Sequence, residues 1–231
     1  MNHIAHTAAR IDALICLKGA PPSITELEHF ADVPIIAADG AANLLYDLDV
    51  LPEYVVGDLD SVLPEVLEAM RTTTEIIVEI DQDINDFEKA LRFAQQMLWK
   101  SVLVTGIHGG DLEHTLNNWS VFMRYGTSMD LLALDGNRIG IPLYGPTSYA
   151  ASEHEIISLI PQPTASLTTQ GLHWPLTREH ITLGLREGAR NRAVEPSVVV
   201  DIHEGAVFMF VEAQLPQLPV VDASAILHDE S

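Results

Sequence analysis

The stretch "EYVVGDLDSVLPEVLEAMR", residues 53–71, sets the pattern for the first half of the chain. Tyr54, Val55 and Val56 form a short apolar run that stops at Gly57. A run this short, β-branched and closed by glycine, reads as a buried strand. Asp58, Leu59, Asp60 and Ser61 come next. A helical segment then opens with Pro64 in its first turn, where the missing N–H costs nothing. The order is strand, acidic loop, helix.

The same order recurs on both sides. Strands are expected at 11–17 (IDALICL), 33–38 (VPIIAA), 75–80 (EIIVEI), 101–106 (SVLVTG) and 130–135 (DLLALD). Helices are expected at 23–31, 41–48, 86–100 and 111–126. Ser23 and Glu26 have the spacing of a capping box. Phe87, Ala90, Leu91, Ala94 and Leu98 mark one apolar face. Buried strands alternating with helices predict a parallel sheet covered on both faces, a Rossmann-like α/β/α domain over 1–136.

After Asp135 the pattern changes to short strands broken by Gly, Pro and polar turns, such as RIGIPLYG, EIISLIP, SVVVDIHEG and AVFMFVEA. This predicts a smaller all-β sandwich domain over 137–231. The last residues, 220–231, are either a loose tail or an edge strand.

Composition narrows the function classes. Twelve basic against 33 acidic residues give a net charge of −21, which repels nucleic-acid phosphates, and no basic stripe offsets it. No apolar run is long enough to cross a bilayer, so no membrane partner is expected. The segment "MNHIAHTAAR" has no long apolar core of a secretory signal. The single cysteine, Cys16, excludes an internal disulfide, and a reducing cytoplasm is the expected compartment.

Parallel sheets collect ligands outside the carboxyl ends of their strands. Five successive strand ends here carry chemistry: Lys18-Gly19; Asp39-Gly40; Gly57, Asp58, Asp60 and Ser61; Asp81, Gln82, Asp83, Asn85, Asp86 and Lys89; and Gly106, Gly109, Gly110, Asp111, Glu113 and His114. A lone aspartate after a strand is a turn former or helix cap. Carboxylates crowded on one edge call for a positive neutraliser. Mg²⁺, held by one or two carboxylates plus water and substrate phosphates, is the fitting ion, and the glycines let backbone amides face the phosphates. His108, Glu113 and His114 have no common zinc spacing. The GIHGG turn lacks the Gly-Lys-Ser/Thr of a P-loop.

In order along the chain, "AADGAANLL", "VVGDLDSV", "DQDINDFEKAL", "GIHGGDLEHTLNN" and "ISLIP" with "TTQGLHWPL" resemble the motifs of the thiamine pyrophosphokinase family. The resemblance implies ATP-dependent pyrophosphoryl transfer to the hydroxyl of thiamine, with Mg²⁺ as cofactor, ATP and thiamine as small-molecule substrates, and a homodimer. It implies Asp58, Asp60 and Asp86 as metal-holding and catalytic residues, with Lys89 and Glu113 beside them. Lys18, Asp39, Gly40, Asn43, Gly106, Gly109, Gly110 and His114 fall to the nucleotide. Gln82, Asp83, Asn85, Trp174, Arg190 and Asn191 fall to thiamine. Asp111 departs from the pattern, standing where the family motif has arginine, as do Glu113 for aspartate, Asn85 for threonine and Arg190 for serine. Two alternatives stay open: a pyrophosphokinase for another hydroxymethyl heterocycle such as a pterin, and a non-catalytic thiamine- or nucleotide-binding protein.

Overall fold

A computed structural model describes residues 1–8 and 10–221. In chain order the elements are β1 (Asn2–Thr7), β2 (Ala13–Cys16), α1 (Ile24–Glu28), β3 (Ile35–Ala38), α2 (Ala41–Asp47), β4 (Tyr54–Gly57), α3 (Pro64–Met70), β5 (Glu75–Val78), α4 (Asp86–Gln96), β6 (Ser101–Thr105), α5 (Leu112–Tyr125) and β7 (Asp130–Asp135). Then come β8 (Arg138–Leu143), β9 (Thr147–Ala150), β10 (Ile156–Gln170), β11 (Glu179–Thr182), β12 (Gly188–Arg192), β13 (Ser197–Glu212) and β14 (Leu218–Val221). The chain divides into two compact units, Arg10–Gly136 and a β-rich unit that joins the residues before Arg10 to those from Asn137 on.

In the first unit β5, β4, β3, β2, β6 and β7 lie side by side in that order, all parallel. The chain lays strands outward from β2 to β5, then crosses back to add β6 and β7 on the other flank of β2. The order therefore reverses between β2 and β6, the crevice where sheets of this kind take ligands. Every residue of β2 and β3 is buried, as continuous apolar runs in a covered parallel sheet should be.

The helices follow local chemistry. In α1 the Ser23 hydroxyl caps the Glu26 N–H at 3.2 Å, and the Glu26 carboxylate accepts the Ser23 N–H at 2.6 Å, which completes the capping box. In α4, Phe87, Ala90, Leu91 and Ala94 are buried as the spacing predicts. Leu98 departs from that expectation. The helix ends at Gln96, Leu98 turns to a φ of 62° and its side chain is 84% exposed. Trp99 then folds back edge-on against Tyr54 and Phe93, so aromatic packing closes the helix.

The β-rich unit contains the larger differences from the sequence reading. That reading began the α/β domain at residue 1, but β1 pairs antiparallel with β14 and parallel with β9. Its partners lie some 140 or more positions along the chain, which no local pattern reveals. EIISLIP, read as a short strand, is only the first part of one long strand, β10; SVVVDIHEG and AVFMFVEA, read as two strands, form one, β13. The proline and glycine that signalled breaks sit at shifts in the β10–β13 register, between Pro161 and Ala165 opposite Gly205. These are bulges, which bend a strand without ending it. Of the terminal segment 220–231, Val220 and Val221 close β14 and the remainder lies outside the described residues.

Candidate active site

Asp39 ends β3 and starts the turn into α2. Its N–H bonds the Val56 carbonyl at 2.9 Å, and its φ of 45° aims the side chain across the end of β4. Only Gly57 leaves room there, since a Cβ at that position would stand 2.7 Å from the Asp39 Cβ. Asp39 is 2% exposed, and its Oδ1 has no hydrogen-bond partner among the described residues. Burial, then the charges of Asp86, Asp60 and Asp58, push its carboxyl above the usual range.

The Gly57–Ser61 loop brings two more carboxylates to it. Leu59 takes a φ of 67°, which folds the loop so that Asp58 Oδ1 accepts the Asp60 N–H at 3.4 Å and Asp60 Oδ1 accepts the Ser61 hydroxyl at 3.0 Å. Oxygens of Asp39, Asp58 and Asp60 come within 4.8 Å of one another. Asn43, one turn into α2, clamps the loop: its Nδ2 donates to the Ser61 carbonyl at 2.8 Å and its Oδ1 accepts the Leu63 N–H at 3.0 Å.

Lys89 supplies the opposite charge. Its side chain is 3% exposed, and its ammonium lies 3.1 Å from Asp58 Oδ2 and 2.9 Å from Asp86 Oδ1. Burial pulls its pKa down, but hydrogen bonds to Asp86 and Asp58 more than offset this and raise it, so it stays charged. Gln82 donates to Asp58 Oδ2 at 2.8 Å. Gln82 first and Lys89 second hold the Asp58 carboxyl below its ordinary value. Asp86 thus joins the carboxylates through Lys89, while Asp39 takes the third place in the group with metal-holding spacing, a place the sequence reading had given to Asp86.

The β6–α5 loop lies against the loop after β2. Ala20 donates to the His108 carbonyl at 2.5 Å, and a Cβ at Gly19, Gly106 or Gly109 would collide with backbone of the facing loop. Gly106 and Gly109 have φ of 71° and 101°, conformations that favour glycine. Gly110 completes this turn. Asp111 is the N-cap residue of α5, and Glu113 and His114 are exposed in its first turn. Asp83 is exposed, its N–H turned to Asp81 Oδ1 at 2.9 Å.

Sequence reasoning missed one residue of this edge. Asn85 caps α4 by accepting the Glu88 N–H at 2.9 Å, and its Nδ2 donates to Asn118 Oδ1 at 2.9 Å. Asn118 Nδ2 in turn reaches the Ile107 carbonyl at 3.5 Å. The signal was present in "GGDLEHTLNN", where Asn118 stands two helical turns after the glycines.

The remaining candidates belong to the β-rich unit. Trp174 is 59% exposed and meets His173 edge-on at 4.5 Å. The Asn191 side chain is buried and engaged with backbone. Its Oδ1 accepts the Trp174 N–H at 3.1 Å and the Arg192 N–H at 2.8 Å, and its Nδ2 donates to the Trp174 carbonyl at 2.7 Å. Asn191 therefore fixes the segment that presents the indole. Arg190 is exposed, with φ 55° and its N–H on the Ser158 hydroxyl at 2.9 Å.

Residues 29–132 match the family described as "Thiamin pyrophosphokinase, catalytic domain", and residues 146–207 match its "vitamin B1 binding domain". A rice relative, thiamine pyrophosphokinase 3 of Oryza sativa subsp. japonica, is 30% identical over 196 residues, 72% of this chain and 73% of its own length. The chain belongs to the thiamin pyrophosphokinase family. Thiamine pyrophosphokinase 1 of Arabidopsis thaliana is 28% identical over 82% of each chain. Yeast thiamin pyrophosphokinase has the same fold, with a TM-score of 0.79 at 17% identity over 91% of this chain and 90% of its own. The family's catalytic match spans the carboxylate edge, from Asp39 to Asn118.

Proposed function

We propose that this chain is a thiamine pyrophosphokinase, transferring the pyrophosphoryl group of ATP to the hydroxyl of thiamine with release of AMP. The observation that carries the reading is the group of Asp39, Asp58 and Asp60 at the carboxyl edge of the sheet, with Asp39 Oδ1 buried and unpartnered. An orphan buried carboxylate oxygen among other carboxylates is costly unless a cation meets it.

All-oxygen, hard donors of this kind fit Mg²⁺. Asp39, Asp58 and Asp60 are the residues that would hold it, and when bound it neutralises charge on the polyphosphate. The chain's own groups do the rest. The glycine-lined turn 106–110 lets backbone amides approach the phosphate oxygens. The thiamine hydroxyl oxygen forms a bond to the β-phosphorus of ATP while the bond from that phosphorus to the bridging α–β oxygen breaks, and AMP carries that oxygen away. Asp86, held on Lys89 through Oδ1 and still 41% exposed, takes the hydroxyl proton. Lys89 holds Asp58 and Asp86 in place and, with Gln82, keeps the Asp58 carboxyl ionised. Trp174 offers an indole face to the cationic thiazolium ring. The enzyme works as a homodimer in the cytoplasm; no helix among the described residues is long and apolar enough to cross a membrane.

Separation of products after incubation with ATP, thiamine and Mg²⁺ tests this reading. AMP and thiamine diphosphate should appear in equal amounts. ADP in place of AMP, or turnover with a hydroxymethyl pterin and none with thiamine, would overturn it.

A further inference from the structure

One charged network of the α/β unit takes no part in the proposed chemistry. Its centre is Glu88, buried in the first turn of α4. Arg124, near the end of α5, pairs with Glu88 Oε2. The Tyr125 hydroxyl donates to Glu88 Oε1 at 3.1 Å, and burial pushes the phenol pKa up, so it stays a donor. Arg92 stands one turn beyond Glu88 on α4. Its Nη2 lies 3.5 Å from Glu88 Oε1, and its Nε donates to the Tyr125 hydroxyl at 3.4 Å. These contacts join α4 to α5.

The third nitrogen of Arg92 leaves the helix pair. Nη1 lies 3.5 Å from Asp81 Oδ2, in the loop between β5 and α4. A guanidinium is a planar fork, so holding Nε and Nη2 also fixes where Nη1 points. Asp81 is the hub of that loop. Its N–H donates to Glu79 Oε1 at 3.1 Å, and its Oδ1 accepts the Asp83 N–H at 2.9 Å, the local turn that aspartate side chains make. Gln82 lies inside this turn, with its Nε2 2.8 Å from Asp58 Oδ2. Among the described residues, Arg92 is the one side chain from outside the loop that reaches Asp81. The pair is 44% and 37% exposed, so it adds little stability. What it supplies is direction, a fixed backbone from which the Gln82 amide meets Asp58.

We propose that Arg92 is a positioning residue, which holds the 81–83 turn so that Gln82 stays on Asp58. This rests on the pyrophosphokinase reading, in which Asp58 belongs to the reacting edge. The line of contact runs from Glu88 and Tyr125 through Arg92 to Asp81, and through the turn to Gln82. A long, exposed glutamine side chain has many rotamers, and ordering it on one carboxylate oxygen needs its backbone held. Small misplacements of groups beside reacting atoms are costly in rate, so an arm that touches no substrate still bears on turnover.

The test compares the parent with Arg92→Met, Gln82→Ala and the double variant. Arg92→Met keeps the aliphatic arm and removes the fork. Hydrogen–deuterium exchange over residues 79–84 reads the turn without any substrate, and Arg92→Met should speed it about 5-fold or more. It should also lower kcat/KM for ATP about 5- to 10-fold, with a melting temperature close to the parent's. In the Gln82→Ala background the same substitution should change kcat/KM by less than about twofold, because the effect passes through Gln82. An equal loss in both backgrounds overturns the proposal, as does exchange over 79–84 that is unchanged in Arg92→Met. A melting temperature lowered in step with activity makes Arg92 a packing residue and overturns it too. If exchange over 79–84 depends on Arg92 but the parent forms no AMP, the functional reading fails and the hold of Arg92 on the turn stands.

Discussion

Asp58 occupies the centre of the carboxylate edge. One of its oxygens meets Gln82 and Lys89 and the other its own loop. Replacing it by Asn keeps the size and most hydrogen bonds but removes the charge that pairs with Lys89 and helps to hold the proposed cation. Asp58→Asn should lower kcat for AMP formation by about 10²- to 10³-fold, the scale for loss of one electrostatic contact in the reacting site, with far-ultraviolet circular dichroism unchanged. Turnover at the parental rate would remove Asp58 from the chemistry. At this scale the sequence was informative about residue types and order. It was less informative about side-chain partners. Asn43 and Asn191, read as ligand contacts, have their amides turned to backbone, and Asp39 rather than Asp86 completes the cluster. Those outcomes depend on the φ of single residues, Asp39 and Leu59, which no spacing encodes.

At the scale of elements, α4 matters because it delivers Asp86 and Lys89 to the edge. Asn85 and Asn118 tie its first turn to the Ile107 carbonyl in the glycine-lined turn. Loss of that tie should shift the helix start by a fraction of an ångström. Asn118→Ala is expected to lower kcat/KM by about 10-fold and to cost about 1 kcal/mol of stability, measured by steady-state kinetics and urea unfolding. A variant that loses stability while its kinetics stay parental would contradict the positioning role. The parallel strands and their helices were legible because each carries its own period and cap. The long strands β10 and β13 were not. Proline and glycine mark bulges and strand ends alike, and only a paired neighbour tells the two apart.

At the scale of the whole molecule, the N-terminal strand belongs to the β-rich unit, and it carries a half-buried histidine whose Nε2 is enclosed. His6 lies beside Tyr149, whose hydroxyl donates to Glu155 at 2.8 Å; Glu155 is 2% exposed and also accepts the N–H groups of Ser152 and Glu212. Burial lowers the His6 pKa below 6.5, more than the charge of Glu155 and a bond to Glu212 raise it. A base with a depressed native pKa binds fewer protons folded than unfolded, so its stabilising contribution is complete above 6.5 and is lost as pH falls through the native value. Melting temperature should therefore decline as pH drops below 6.5, and His6→Gln should flatten that part of the curve. An unchanged profile in the variant would contradict the assignment. The strand was illegible in sequence because β1, NHIAHT, is short, has only Ile4 and Ala5 as apolar residues, side by side and without a period of two, and gains its meaning only from β9 and β14.

The central claim is that Asp39, Asp58 and Asp60 converge to hold a divalent cation. Electron paramagnetic resonance of Mn²⁺, added to the nucleotide-free protein in place of Mg²⁺, reads that binding directly. The parent should take up Mn²⁺ in competition with Mg²⁺, and Asp39→Asn should weaken binding by about 10-fold or more while the fold is kept. Equal Mn²⁺ affinity in the parent and Asp39→Asn would show that the carboxylate edge is not where the cation sits.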